Sequence, residues 1–328
     1  MTGPGPIGAG KGLAEAEGAA EGAAEGGSEG AAEEVVAAPC CGILATPLAA
    51  LDDPEGARLP PGLPPVVDAH VHLFPDRLFE AVWRWFGEHG WPIRYRLHAR
   101  QVVDFLCDRG VAHVVALQYS HRPGMARVLN EWMAEFAALE PRIVPMATVL
   151  PGEEGAADVL RAAFADGLRG VKLHCHVQAF SVDDDAMGAL YDVCVAHDRP
   201  MIIHAGREPK SPAYPVDPYE VCDAARVARV LEGWPKLRLC VPHLGADEFG
   251  EYAALLERHD NLWLDTTMLL AQYFPTEDPV WMLMARPDRI LYGSDFPNLP
   301  YAWDREIRRI AGLELREEDL VALLGGNA

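Results

Sequence analysis

The chain has 328 residues, half of them hydrophobic, so it is long enough to bury a sizeable core. Its formal net charge is −21 at pH 7. Nucleic acid and anionic membranes both require basic surface on a partner, so the charge argues against both. No apolar run approaches the roughly 18 residues of a membrane helix, and no secretory signal is recognisable. We therefore expect a cytoplasmic protein that acts on a small molecule.

Residues 1–62 differ in composition from the rest of the chain. The first part repeats Ala, Gly and Glu with almost no large apolar side chain, and a proline-rich stretch follows it. Such a segment cannot bury enough apolar surface to compensate for the conformational entropy that it would lose on becoming ordered. We predict a disordered tail and linker over 1–62, followed by one catalytic domain over 63–328. The seven cysteines include the adjacent pair Cys40 and Cys41, contain no Cys-x-x-Cys, and are predicted to be free thiols.

From residue 66 the chain alternates short apolar runs with amphipathic stretches. The predicted strands are 66–74, 112–118, 143–150, 168–174, 200–205, 237–243, 262–268 and 290–295. The predicted helices are 98–109, 124–139, 154–166, 183–195, 218–232, 247–258, 279–286, 302–311 and 316–324. Eight strands that alternate with helices predict an α/β protein, a (β/α)8 TIM barrel. A doubly wound sheet is the alternative, but no glycine-rich phosphate turn follows the first strand.

The insert at 75–97, between the first strand and the first predicted helix, is rich in aromatic residues. In a barrel it would cover the catalytic face as a lid, or form the subunit contact of a homodimer. Simple packing of the rings over the barrel is an equally good interpretation.

Polar side chains recur where the predicted strands end, which is where barrel enzymes place their chemistry. A lone histidine in an apolar strand is most often a core residue with a hydrogen-bond partner. Five strands out of eight that deliver His or Asp at the same end favour a shared metal centre, because buried polar groups require partners. The strand-end residues are His70, His72, His174, His204, His243 and Asp295.

His70-x-His72, His204, His243 and the motif Gly293-Ser294-Asp295-Phe296-Pro297 together resemble the amidohydrolase superfamily. The most similar branch is the amidohydrolase-related group that includes aminocarboxymuconate-semialdehyde decarboxylase and gamma-resorcylate decarboxylase. The resemblance implies that His70, His72 and His204 ligate a metal. Asp295 would be both a ligand and the proton acceptor from the metal-bound water, and His243 would stand beside the substrate.

The implied cofactor is one divalent metal. Three histidines and one carboxylate suit Zn²⁺ best, and Mn²⁺ and Fe²⁺ also fit. In binuclear members of the superfamily a carbamylated lysine at the end of the fourth strand bridges two metals. Lys172 occupies the corresponding strand, but we favour the single-metal interpretation.

Three further residues are predicted to contact the substrate: Lys172, His174 and Arg207. Arg207 follows His204 by three residues and could clamp a carboxylate, since guanidinium pairs with carboxylate in a bidentate manner. A salt bridge to a protein carboxylate is the alternative for Arg207. His176 is a weaker pocket candidate, and Asp265 could orient the site.

The activity predicted first is a metal-dependent hydrolase, in which activated water attacks an amide, ester or lactone, with Asp295 and His243 as the catalytic residues. The alternative is a non-oxidative decarboxylase of a carboxylated aromatic or unsaturated acid. The strand-end motifs do not separate these two activities. A catalytically inactive scaffold is a third, less favoured hypothesis, because every expected catalytic position is filled.

Overall fold

The computed structural model describes residues 51–273 and 275–328. The predictions for 1–50, including the tail and the Cys40-Cys41 pair, lie outside these residues. The described part of the predicted linker is hydrogen-bonded to the domain. Gly56 donates its N–H to the Asp304 carboxylate, and Leu59 donates its N–H to the carbonyl of Arg109. The domain boundary near residue 62 stays a prediction.

Eight parallel strands form the centre of the fold. They are β1 Val66–His72, β2 Val111–Leu117, β3 Ile143–Pro145, β4 Val171–His174, β5 Met201–His204, β6 Leu239–Val241, β7 Leu262–Asp265 and β8 Ile290–Leu291. They pair in the orders β1-β2-β3 and β4-β5-β6-β7-β8. A parallel bridge between Ala147 and Val171 joins the segment after β3 to β4, and one between Val71 and Phe296 joins β1 to the segment after β8. The two ladders therefore close into a barrel, and the predicted (β/α)8 fold is confirmed.

Eleven α-helices surround the barrel within the described residues. They are α1 Asp76–His89, α2 Ala99–Asp108, α3 Met125–Leu139, α4 Ala156–Ala165, α5 Cys175–Gln178, α6 Asp185–Ala196, α7 Pro218–Val221, α8 Ala224–Gly233, α9 Phe249–Arg258, α10 Arg305–Ala311 and α11 Glu317–Val321. Short 3₁₀ helices occupy His243–Gly245, Pro279–Met284 and Pro287–Arg289, and a π turn covers Ala322–Gly326. In the two described ranges no helix is long and apolar enough to cross a membrane.

Several elements differ from their predicted bounds for local reasons. The stretch predicted as one helix over 218–232 is two, because Cys222 is extended and Asp223 caps α8 by accepting the N–H of Ala225. The apolar run at 290–295 pairs as a strand only over Ile290–Leu291, because the N–H of Tyr292 donates to the carbonyl of Leu323 and not to a neighbouring strand. Asp295, at the end of this run, has a left-handed φ of 71°. The segment predicted as a helix over 279–286 is a 3₁₀ helix.

The barrel interior is packed rather than open. A small apolar cluster takes one residue from each of six strands or strand ends, and a larger apolar cluster fills the space between the sheet and the helices. The interior cluster consists of Ala69, Leu117, Met146, Ile202, Cys240 and Leu291. Because the interior is filled by side chains, a functional site is expected at the ends of the strands, as in other barrels.

Candidate metal centre

The first histidine pair lies at the end of β1 and faces the segment after β8. Side chains two residues apart on a strand share a face, so His70 and His72 point the same way. The segment after β8 fits closely against them: a Cβ at Gly293 would lie 2.7 Å from the Cβ of His70. Asp295 then turns back and donates its N–H to the carbonyl of His70 at 2.9 Å. The aspartate carboxylate is thereby held against the histidine rings.

These three side chains form a cluster that we call the carboxylate cluster, His70, His72 and Asp295. The Asp295 Oδ1 atom lies 3.0 Å from Nε2 of His72 and 3.5 Å from Nε2 of His70. On the far side of the His70 ring, Nδ1 lies 2.8 Å from Oδ2 of Asp265. An ionised carboxylate can only accept a hydrogen bond, so Nδ1 carries the hydrogen and Nε2 presents its lone pair to the cluster.

Burial and neighbouring charge set the protonation states in this cluster. Burial, assisted by the charge of Lys172, lowers the pKa of His70 to about 4, so its ring is neutral near pH 7. Burial would raise the pKa of Asp295, but the hydrogen bond from His72 and the nearby histidines hold it below its ordinary value. A neutral imidazole beside an ionised carboxylate is the form in which these side chains bind a divalent metal.

Lys172 lies beside the carboxylate cluster with its Nζ 3.4 Å from Nε2 of His70. Its side chain is completely buried, and burial lowers its pKa to about 8. It does not line the aromatic cavity described below. The structure therefore places Lys172 next to a predicted metal ligand, and its predicted contact with substrate stays a prediction.

A second group of histidines, which we call the imidazole cluster, consists of His174, His176 and His204. His174 ends β4 and is in register with His204 at the end of β5. Their rings stack 4.1 Å apart at 5°, and the His176 ring lies 4.7 Å from that of His204. Each of the three rings offers a nitrogen within 4.8 Å of the others. His204 thus groups with His174 and His176, and its predicted role as a ligand beside His70, His72 and Asp295 stays a prediction.

His243 lies between the two clusters. Its backbone N–H donates to Oδ1 of Asp265, and its ring Nδ1 lies 3.0 Å from the carbonyl of Thr267. Its Nε2 lies 3.1 Å from Nδ1 of His204. Asp265 therefore orients residues from two strands, His70 from β1 and the His243 backbone after β6. The sequence indicated that Asp265 could orient the site, but not which residues it contacts.

Arg207 is engaged by the protein. Its guanidinium lies 3.2 Å from a carboxylate oxygen of Glu248 and also donates to the carbonyl of Cys222. It stands over the ring of Tyr219 at 4.9 Å. The salt bridge considered as the alternative for Arg207 is present, and the predicted carboxylate clamp stays a prediction.

A cavity of about 360 Å³ lies against the site. Its walls include side chains from α1, so the aromatic insert contributes directly to it. The rings that line it are Phe74, Trp85, Phe86, Tyr119, His121, His174 and Tyr214. Within the described ranges no Lys, Arg, Asp or Glu lines this cavity.

Two tyrosines connect the cavity to the histidines. The ring of Tyr119 lies 5.6 Å from His72 and 5.4 Å from His174, while that of Tyr214 lies 5.1 Å from His176. Burial raises the pKa of both hydroxyls, so both are protonated donors. Neither residue is among the predicted site residues. Tyr119 directly follows a predicted strand, so its place at a strand end could have been inferred from the sequence. Tyr214 lies in a loop, and no sequence pattern marks it.

Two features of the structure indicate that these side chains suit a divalent metal. In the carboxylate cluster, Asp265 fixes the tautomer of His70 that leaves a lone pair for a ligand bond. In the histidine group described after it, His174 Nδ1 and His176 Nδ1 are both buried without a hydrogen-bond partner among the described residues. Unpartnered nitrogens of this kind are costly in a folded protein, and metal coordination offsets the cost.

The chain is similar to known proteins over most of its length. The amidohydrolase family matches residues 67–328. Among solved structures, a TIM-barrel protein from Bordetella bronchiseptica is 20% identical over 80% of this chain and 96% of its own, with a TM-score of 0.64. The 5-carboxyvanillate decarboxylase from Novosphingobium aromaticivorans, with bound manganese, is 16% identical over 84% and 98%, with a TM-score of 0.57. The 2,6-dihydroxybenzoate decarboxylase from Rhizobium is 16% identical over 81% and 97%, with a TM-score of 0.57. No curated protein matches the chain.

Proposed function

The chain belongs to the amidohydrolase family, and from this premise we propose that it is a metal-dependent, non-oxidative decarboxylase of a carboxylated aromatic acid. Hydrolysis is the activity that the sequence predicts first. Two of the similar structures, however, are decarboxylases of aromatic acids, which favours the alternative. Both activities use the same strand-end residues, so the choice rests on the substrate cavity.

The observation that carries the proposal is the aromatic cavity beside the carboxylate cluster. Phe74 lines it and stacks on His72 at 5.8 Å and 7°, and Trp85 stacks on Tyr214 at 5.4 Å. Such walls suit a flat ring, which gains offset-stacked and edge contacts from its neighbours. The Tyr119 and Tyr214 hydroxyls suit the oxygen substituents of that ring.

In this proposal His70, His72 and Asp295 hold the metal together with His204, and Zn²⁺ is the resident ion. Mn²⁺ is the alternative, since both ions accept imidazole and carboxylate ligands. The bound ion supplies positive charge that fixes and polarises the acidic oxygens of the substrate.

The residues of the chain must then deliver one proton. In decarboxylation the bond between the ring carbon and the carboxylate breaks, carbon dioxide leaves, and its electron pair stays on the ring carbon. A proton must reach that carbon. Asp295, an ionised carboxylate in the resting site, can take one from an acidic hydroxyl of the bound substrate or from water and pass it to the ring carbon. His243 lies 5.7 Å from the His70 ring between centroids and can stabilise the negative charge on the substrate. The aromatic walls exclude water from the ring.

The test is product analysis with the metal-loaded full chain. We expect carbon dioxide release from at least one member of a panel of carboxylated phenols that includes 2,6-dihydroxybenzoate, 5-carboxyvanillate and salicylate. Chelator-treated protein should lose the activity, and added Zn²⁺ or Mn²⁺ should restore it. Release of acid from esters, lactones or amides with no carbon dioxide from any phenolic acid would refute decarboxylation and restore the hydrolase interpretation.

A further inference from the structure

The walls of the aromatic cavity also indicate which aromatic acids fit it. We propose that the substrate is a phenolic acid with a single carboxylate and an apolar substituent, alkyl or aryl, that packs against α1. The inference rests on the proposed function, because it takes the carboxylate that leaves as the group held at the carboxylate cluster. It goes further by excluding aromatic acids that carry a second carboxylate.

One face of α1 lines the cavity with apolar side chains. The residues recur at spacings of three and four, which places them on the same side of a helix. They are Leu78, Ala81, Val82, Trp85 and Phe86. All five are half-buried, and within α1 only Phe79 is fully buried. The apolar face of α1 therefore borders the cavity, and an apolar group placed there would complete its burial.

The cavity is larger than a single-ring acid requires. Its volume of about 360 Å³ falls within the roughly 300 to 1,000 Å³ of sites that bind drug-sized ligands. A hydroxybenzoic acid is smaller than such ligands, so space remains beside its ring. Because α1 bounds that space with hydrocarbon and aromatic surface, the group that fills it best is apolar.

The cavity offers no cation to a second carboxylate. Among the described residues no Lys or Arg lines it, and Arg207 is instead bound to Glu248 at 3.2 Å. His121 does line it, but burial and the charge of Arg122 lower its pKa, so its ring is neutral near pH 7. A carboxylate buried without a charged partner is costly. The walls therefore disfavour any acid that keeps a carboxylate away from the metal.

The experiment measures binding with ligands that do not react. In 2-nitrophenols a nitro group replaces the carboxylate that would leave, so binding is measured without release of carbon dioxide. Metal-loaded full-length protein is titrated by calorimetry with 2-nitrophenol, 4-ethyl-2-nitrophenol, 4-butyl-2-nitrophenol and 4-hydroxy-3-nitrobenzoate. The last ligand carries a carboxylate at the ring position of the alkyl groups. We expect each methylene to tighten binding by about fourfold, and the added carboxylate to weaken it by about tenfold relative to 2-nitrophenol.

A cation on the cavity face of α1 should reverse this preference. Ala81 lines the cavity and is half-buried, so an arginine there can reach the bound ring. Ala81→Arg should bind 4-hydroxy-3-nitrobenzoate about tenfold more tightly than the parent protein, since guanidinium pairs with carboxylate. Glu80→Arg adds a cation at the neighbouring exposed position and is the matched control, which should keep the parent preference.

The ligand series on the parent protein does not depend on the folding of either variant. Affinity that does not rise with the alkyl chain, equal affinity for 4-hydroxy-3-nitrobenzoate and 4-butyl-2-nitrophenol, or no binding of any of the four would overturn the substrate class. So would a folded Ala81→Arg protein with the parent preference. Carbon dioxide release alongside such a result would leave decarboxylation standing. The expected series without carbon dioxide from any phenolic acid would refute decarboxylation and leave the preference of the cavity intact.

Discussion

The carboxylate cluster and the imidazole cluster lie at the same end of one barrel but are built differently. The first joins β1 to the segment after β8 and includes the anion Asp295, with Asp265 behind His70. The second joins β4 to β5, contains only imidazoles, and is supported by backbone carbonyls. The carboxylate of Asp295 partly neutralises a cation at the carboxylate cluster, whereas the imidazole cluster supplies no negative charge. We therefore expect the affinity for a divalent cation to depend mainly on Asp295.

The largest expected effect comes from removing the anion of the carboxylate cluster. Asp295→Asn keeps the size of the side chain but loses both the charge and the acid. We expect kcat to fall by about 10²- to 10⁴-fold, the usual contribution of a general acid or base. Steady-state carbon dioxide release measures this fall. Zinc calorimetry should show weaker binding than in the parent protein.

Asp166→Asn, the same change at an exposed aspartate, is the control for this variant and should behave as the parent protein. If Asp295→Asn binds zinc as tightly as the parent protein, the carboxylate is not a ligand, and the comparison between the clusters fails.

The second prediction concerns Asp265, which orients the predicted metal ligand His70. Asp265→Asn replaces the carboxylate that accepts from His70 Nδ1. Loss of such a supporting group typically lowers metal affinity by about 10- to 100-fold. Competition with a chromogenic chelator should show this loss. An unchanged affinity would mean that Asp265 does not control the orientation of His70.

The pH dependence of stability tests the buried histidines. The pKa of His70 is about 4 in the fold and about 6.5 in the unfolded chain, and burial also lowers the pKa values of His174 and His204. Between pH 6.5 and 4 the unfolded chain therefore binds more protons than the folded one. Their contribution to stability is complete above pH 6.5 and is lost as the pH falls towards 4.

Urea unfolding of the metal-free protein measures this loss, which is at most about 1.4 kcal/mol per pH unit for each such histidine. A free energy of unfolding that stays constant from pH 7 to 5 would contradict neutral, buried rings.

The smallest expected effect is at Arg207, which follows the end of β5. Because its guanidinium binds Glu248 and the Cys222 carbonyl, Arg207→Ala should cost about 1 kcal/mol of stability, as expected for a partly exposed pair. KM should change less than twofold. A tenfold rise in KM at unchanged stability would instead support the carboxylate clamp that the sequence predicts.

The sequence predicts the positions in this site better than the directions of the side chains. Strand alternation places His70 and His72 on one face, and the count of strands predicts the barrel. It does not predict that His176 lies in the short helix α5, with the chain turning at Ala179 in a left-handed conformation. Nor does it predict that the His204 ring contacts His243 and not Asp295, because ring orientation depends on the Thr267 and Glu208 carbonyls.

Gly293 has a practical consequence for anyone who alters this enzyme. A Cβ at this position would lie 2.5 Å from Oγ1 of Thr267 as well as 2.7 Å from the Cβ of His70. Even alanine would push apart β1 and the residues after β7, and with them the carboxylate cluster. In a saturation library we expect position 293 to tolerate only glycine, while neighbouring cavity residues accept many replacements. New substrates are therefore best sought by changing α1, with the glycine left in place.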